Sequence, residues 1–161
     1  MKGVIAFDSV HGNTKLVAEA IAEQIKAEGH EVQLINVRGS VPASVSGDFL
    51  LIGSPTRGSR ATKEAMSFVE ALDSSWKGKP IAVFDTVGPL SKDAEKRKKW
   101  LETIDAGTKN AASKLKDRCI ERGMSVSSVL HVPVVGMMGP LAPEGTQMGR
   151  DFAHKFIASL K

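Results

Sequence analysis

The chain alternates between short apolar runs and longer segments whose apolar positions recur at helical spacing. Lys2 to Asp8, "KGVIAFD", reads as a buried strand. Thr14 to His30 places Leu16, Val17, Ala20, Ile21 and Ile25 on one stripe with charged residues opposite, which predicts an amphipathic helix ended by Gly29. Glu31 to Val37 alternates as a second strand. After a turn region containing Pro42 and Gly47, Asp48 to Ser54, "DFLLIGS", is a continuous apolar run, as expected of a central strand covered on both faces. Ala61 to Leu72 predicts a helix with Ala65, Phe68, Val69 and Leu72 on its apolar side, and Lys79 to Thr86 a fourth strand. A helical region over Ser91 to Arg122 should break near Asp105 to Thr108. Met124 to Val135 holds a fifth strand, and Thr146 to Leu160 a closing helix. Regular alternation of strand and helix predicts an α/β class with an open parallel sheet and helices on both faces. The expected organisation is a single domain, 1–161, with an extra helical segment at about 91–105.

In such a sheet, ligands bind beyond the carboxyl ends of the strands, where the strand order changes direction. The loops to inspect are "SVHGNT", "PTRGSR" and "TVGPLS", after the first, third and fourth strands. In the first, Ser9, His11, Asn13 and Thr14 offer hydroxyl, imidazole and amide donors, and Gly12 lets the backbone come close. Successive N–H groups at the following helix start then converge on an anion. Helix capping by Asn13 or Ser9 is the plainer reading of the same residues. The patterns GxxxxGK[ST] and GxGxxG are both absent, which disfavours a nucleoside triphosphate with Mg²⁺ and leaves a terminal monophosphate held by neutral donors.

Charge adds one feature. The formal net charge is +4, and its main concentration is Ser91 to Trp100, "SKDAEKRKKW". This reads as a solvated helix face, with a docking patch for acidic partners as the alternative. Nothing points to nucleic acid, because no zinc-ligand spacing or RNA-binding aromatic signature accompanies the charge and there is no Tyr. No stretch approaches the roughly 20 apolar residues of a membrane span. The N-terminal "MKGVIAFDSV" enters a strand without a leader pattern, so a cytoplasmic location is expected. Cys119 has no His or Cys at ligand spacing and reads as a packing or surface residue. His30 is expected to be exposed, and His131 and His154 to be structural. Asp8 and Asp85 end strands, where turn capping is commoner than acid/base chemistry. A phosphoacceptor domain would need an Asp ending the third strand, where Ser54 stands. Gly136 to Gly145 reads as a surface loop, with a lid or partner surface as the alternatives.

"SVHGNT" after a first strand resembles the phosphate loop of flavodoxins, with His11 where a Ser or Thr is usual. "GSPTRGS", Gly53 to Ser59, resembles the flavin loop of flavodoxin-like quinone reductases and of flavodoxin domains in flavodiiron proteins. The resemblance implies a flavodoxin-like three-layer sandwich, five parallel strands in the order 2-1-3-4-5, with non-covalently bound FMN. Carried over by position, Ser9, His11, Gly12, Asn13 and Thr14 enclose the phosphate. Pro55, Thr56, Arg57 and Gly58 lie along the isoalloxazine ring, and Thr86, Val87, Gly88 and Pro89 approach its other side or its pyrimidine edge. Gly58 is either the site of a redox-linked peptide turn or an ordinary tight-turn glycine. The implied function is FMN-based electron transfer to redox partner proteins, acidic ones among the candidates, as a carrier more than a turnover enzyme. The alternatives are a flavoenzyme of the NAD(P)H:quinone oxidoreductase type and a flavodoxin-fold binding module without flavin. Oligomeric state stays open. The chain departs from the family in its basic charge and in having no Tyr or Trp in the three loops. Trp76 is expected to pack at the opposite end, whereas Trp100 either folds over the flavin or anchors its own segment. A protonated His11 beside the phosphate would make affinity weaken as pH rises through its pKa.

Overall fold

The computed structural model describes residues 1–39, 41–42 and 44–160, so Ser40, Ala43 and Lys161 of the expected domain lie outside the described residues. In chain order the elements are β1 (Lys2–Phe7), α1 (Asn13–Ala27), β2 (Glu31–Asn36), β3 (Phe49–Pro55), α2 (Lys63–Ala71), β4 (Ile81–Val87), α3 (Ala94–Ala106), α4 (Ala111–Glu121), β5 (Ser128–Pro133) and α5 (Gly145–Ser159). The strands of the described residues form one parallel sheet in the order β2-β1-β3-β4-β5, the order expected from sequence. Successive strand residues point to opposite faces, so the apolar runs of β1, β3 and β4 feed two cores. Val4, Leu50, Ile52 and Val83 pack with Phe68, Val69, Leu115 and Trp76 on the side of α2 and α4. Ile5, Leu51, Ala82 and Phe84 pack with Val17, Ile21, Ile25, Phe156 and Ile157 on the side of α1 and α5. Each fully buried side chain of this size contributes about 1.5–3 kcal/mol by leaving water.

Glycines in the sheet make room for aromatic rings. Gly53 on β3 pairs in register with Phe84 on β4, and a Cβ at Gly53 would lie 2.2 Å from the Phe84 ring. The ring therefore lies flat across its neighbour, which keeps β3 and β4 tightly apposed below the site.

Several expectations change. Leu16, expected on the buried stripe of α1, is 48% exposed, because the buried face runs through Thr14, Val17, Ala18 and Ile21 and leaves Leu16 outside its edge. The helix break lies where it was expected, near Asp105 to Thr108: α3 ends at Ala106 and α4 starts at Ala111. Asn110 ends it, its Oδ1 accepting from Ser113 N (2.8 Å) to cap α4 while its Nδ2 donates back to Ile104 O (3.4 Å). His30 is half-buried, with Nδ1 3.1 Å from the N-terminal amine. The basic run is not uniformly solvated. Lys92, Lys96, Lys98 and Lys99 are exposed, but Arg97 is buried. It donates from Nε and Nη2 to the Glu144 carboxylate (2.7 Å each) and from Nη1 to Ser91 O (3.0 Å) and Lys92 O (3.1 Å). A helix with a polar composition thus attaches to the start of α5 through one guanidinium rather than through an apolar face.

Candidate functional site

The carboxyl ends of β1, β3, β4 and β5 open onto one cleft of about 230 Å³. Its first wall is the turn between β1 and α1. Gly12 sits just before the helix with φ of 89°, a left-handed conformation that glycine adopts without steric cost. This turn lets the chain double back so that Ser9 Oγ accepts from Gly12 N (3.1 Å) and Lys15 N (3.3 Å). Among the described residues no side chain at the cap position bonds the first turn of α1, and that turn carries no acidic residue. Ser9 thus caps the turn in part, as the plainer reading of this loop expected, while the N–H groups of Asn13 and Thr14 carry no hydrogen bond among the described residues and leave the positive dipole end toward the cleft. Thr14 Oγ1 meets Thr86 Oγ1 at 3.0 Å, which ties this turn to the end of β4. Asn13 Nδ2 donates to Met138 O (3.1 Å), which ties it to the loop after β5.

The second wall follows β3. Buried Ser54 accepts from Thr62 N (3.0 Å) and holds the loop against the start of α2. Arg57 N donates to Arg60 O (2.9 Å) and Arg60 N to Arg57 O (3.1 Å) across a tight turn. Its central residues, Gly58 and Ser59, have φ of 56° and 65°, the two left-handed positions of a primed turn. The third wall follows β4. Gly88 lies so close to β5 that a Cβ there would fall 2.4 Å from Val134 O, while Leu90 N donates to Val134 O (2.8 Å) and Val134 N to Val87 O (2.8 Å).

The structure brings Ser9, His11, Asn13, Thr14, Pro55, Thr56, Arg57, Gly58, Thr86, Gly88 and Pro89 to the cleft wall. It does not bring Gly12 or Val87 there. Gly12 shapes the turn from behind, and Val87, which is buried, borders a neighbouring cleft. Sequence reading missed Val10, Val134, Gly136 and Met137. The last two belong to the glycine-rich stretch after the fifth strand, whose spacing was the available signal. Trp100 lies outside this cleft. It is 50% exposed and lines a second one of about 420 Å³ that shares Thr56, Gly58, Gly88 and Pro89 with the first.

Both strand-end carboxylates are buried and paired. Asp8 receives Arg38 Nε (2.7 Å) and Nη2 (2.8 Å). Asp85 accepts from Ala112 N (2.9 Å) at the start of α4 and from Thr56 Oγ1 (3.2 Å), and lies 2.8 Å from His131 Nδ1. The expectation that Asp85 caps a turn thus becomes the capping of a helix start, and His131 has a structural partner that the sequence did not show. Burial opposes the charge of His131, but the hydrogen bond to Asp85 and the charges of Asp85 and Asp105 outweigh it and lift the imidazole pKa above its ordinary value.

A parallel sheet with an acid-free helix start, neutral donors and glycine-shaped loops at its switch point defines a mononucleotide-binding α/β protein. The flavodoxin domain family model matches residues 4–128, and the chain belongs to that family. It is 26% identical over 136 residues to a flavodoxin of Clostridium beijerinckii, covering 78% of this chain and 99% of that protein. Among solved structures, oxidised flavodoxin 1 of Bacillus cereus aligns with a TM-score of 0.72 at 25% identity over 100% of both chains. Oxidised flavodoxin 2 of the same organism aligns with a TM-score of 0.68 at 25% identity over 99% of each. The protein is an FMN-binding electron-transfer protein of flavodoxin type. Its donor set suits that group. A phosphate monoester dianion requires several converging N–H and O–H donors, and the α1 start with Ser9, His11, Asn13 and Thr14 at the cleft wall offers groups of that kind.

Proposed function

We propose that FMN is held with its phosphate at the start of α1, among Ser9, His11, Gly12, Asn13 and Thr14. Its ring would lie between Pro55–Gly58 on one side and Thr86–Pro89 on the other. The observation that carries this reading is the acid-free first turn of a 15-residue helix, capped only in part by Ser9, that opens into the cleft shared by these loops. FMN supplies the redox chemistry when bound. The protein's part is to hold the phosphate, press the loop backbones against the ring and keep Asp8 and Asp85 paired behind it. In this reading the whole chain is one domain to which α3 is an addition. The protein is a carrier whose partners are redox proteins, acidic where they meet Lys92, Lys96, Lys98 and Lys99. The proposed setting is the cytoplasm, in keeping with a cysteine, Cys119, that stays a free thiol.

Titration of the protein with FMN, followed by quenching of flavin fluorescence, tests the reading. Saturable one-to-one binding is expected, weakened about tenfold or more by Asn13→Asp, which sets a carboxylate against the phosphate; tenfold corresponds to about 1.4 kcal/mol. Equal affinity in the variant would move the phosphate away from α1, and absence of FMN uptake by the wild-type protein would refute the proposal.

A further inference from the structure

Thr56 belongs both to the cleft and to a buried polar chain behind it. Its Oγ1 accepts from Ala111 N (3.0 Å) and donates to Asp85 Oδ2 (3.2 Å). The other Asp85 oxygen meets His131 Nδ1 at 2.8 Å. Asp85 and His131 are register partners on adjacent strands, so both side chains leave the sheet on the same face. Both are buried, with side chains 0% and 5% exposed. His131 Nε2 points the opposite way, 3.6 Å from Asp105 Oδ1 at the end of α3. There it borders an open polar cleft of about 430 Å³ with Asp105, Thr108, Ser113, Lys116 and Asp117. One end of the imidazole thus contacts the flavin loop through two side chains, and the other end has a route to water.

This arrangement exceeds what capping requires. Asp85 already caps α4 through Ala112 N, and an Asn or Ser at position 131 would satisfy its remaining oxygen without introducing a titrating group. Instead the fold places an ionisable ring in a low-dielectric layer next to a site where charge changes, where electrostatic coupling is stronger than in water.

We propose that His131 is the proton-linked partner of the bound flavin, held behind the ring loop by Asp85 and Thr56, and that it takes a proton from solvent when the flavin gains negative charge. The inference rests on the FMN reading above. The balance is simple: an electron enters the flavin from the redox partner, a proton enters at His131 Nε2 from the Asp105 cleft, and on reoxidation both leave. His131 acts through Asp85 and Thr56, so it is a positioning residue and does not touch the ring. The charged groups facing it are Asp85 on β4, Asp105 on α3, and Lys116 and Asp117 on α4 across the cleft; α5 packs on the opposite face of β5. Burial opposes the charge of the imidazole, but the hydrogen bond to Asp85 and the charges of Asp85 and Asp105 outweigh it and raise its pKa above the ordinary value, so the ring takes up a proton more readily than a free imidazole.

The test follows the His131 ring proton by NMR against pH in FMN-loaded protein, once oxidised and once reduced with dithionite under argon. In the NMR experiment His131→Gln assigns the resonance among four histidines. The expected result is a His131 pKa higher in the reduced protein by half a unit or more, roughly threefold in proton binding. His154 on the surface should stay unchanged. In parallel, the midpoint potential of bound FMN should fall more steeply with pH in wild type than in His131→Gln between the two His131 pKa values, and with equal slope outside them. Identical His131 titrations in the two redox states overturn the proposal, even if the variant fails to fold. Parallel potential profiles in a folded variant overturn it as well. Absence of FMN uptake would refute the flavin reading itself, a separate result.

Discussion

Replacing Arg97 by Met removes the buried guanidinium contact between α3 and the start of α5. Arg97 has a side chain 5% exposed and engages Glu144, 43% exposed, through two hydrogen bonds of 2.7 Å. A hydrogen bond to a charged group contributes about 1.5–3 kcal/mol when buried. Two such bonds would exceed about 3 kcal/mol, but Glu144 is rehydrated when its partner is removed. The carbonyls of Ser91 and Lys92 can also turn to water, so solvent screening reduces the net loss to about 2 kcal/mol. At about 2–4 °C per kcal/mol for a domain of this size, the melting temperature should fall by about 4–8 °C. The loss should also depend on pH. The Arg97 hydrogen bond holds the Glu144 carboxyl below the usual carboxylate range. A depressed acid contributes stability that is present above its unfolded value, about 4.3, and is lost as pH falls through the lower folded value. The gap between wild type and variant in urea unfolding should thus be constant from pH 5.5 to about 8 and should close on acidification below about pH 4. Tryptophan emission supplies two reporters, since Trp76 is fully buried in the core and Trp100 rides on α3. Trp100 should shift to the red in the native variant while Trp76 stays unchanged. A gap under about 0.5 kcal/mol at pH 7 would refute the reasoning, as would a gap that persists at pH 3.5, by showing that the pair behaves as a screened surface bridge.

Two further outcomes follow from local geometry. A Cβ at Gly58 meets nothing within 4 Å, yet φ there is 56°, so Gly58→Val should fold with a backbone cost of about 1–2 kcal/mol. It should make full reduction of bound FMN less favourable, as read by redox titration; a superimposable titration curve would reduce Gly58 to a turn former. Burial pushes the Cys119 thiol up to about 11, so a disulfide reagent at pH 8 should label the native protein far more slowly than the urea-unfolded chain, and equal rates would contradict the packing described.

The sheet was legible because its signal is local. "GVIAF", "FLLIGS" and "IAVF" are apolar without interruption, and burial on both faces of a parallel sheet demands that. The donor-rich first loop was legible for the same reason, since an anion needs donors and donors are side-chain identities. What escaped depends on distance along the chain. Arg97 is one letter within a basic run, and only the fold brings Glu144, 47 positions later, against it. Asp85 and His131 become partners only when β4 and β5 pair in register. Val10, Val134, Gly136 and Met137 line the cleft without an ionisable or hydroxyl side chain, so no donor pattern marks them.

The pairing of the two strand-end carboxylates bears directly on how an anion can bind here. Asp8 follows the last residue of β1 and Asp85 lies within β4, two residues before its end, and each if unpaired would repel a phosphate bound in the cleft. At an effective dielectric of about 20 and a separation of about 10 Å, unit charges interact by about 1.7 kcal/mol, enough to offset more than a tenfold gain in affinity. The fold removes both penalties from behind. Arg38 grips Asp8 with two nitrogens, and Asp85 is enclosed by Ala112 N, Thr56 Oγ1 and His131. The field in the cleft is then set by the start of α1 and by exposed Arg57. With Asp8 neutralised by Arg38, the neutral donors proposed for the phosphate face less opposing charge from that side. On the Asp85 side that neutralisation varies with the proton on His131.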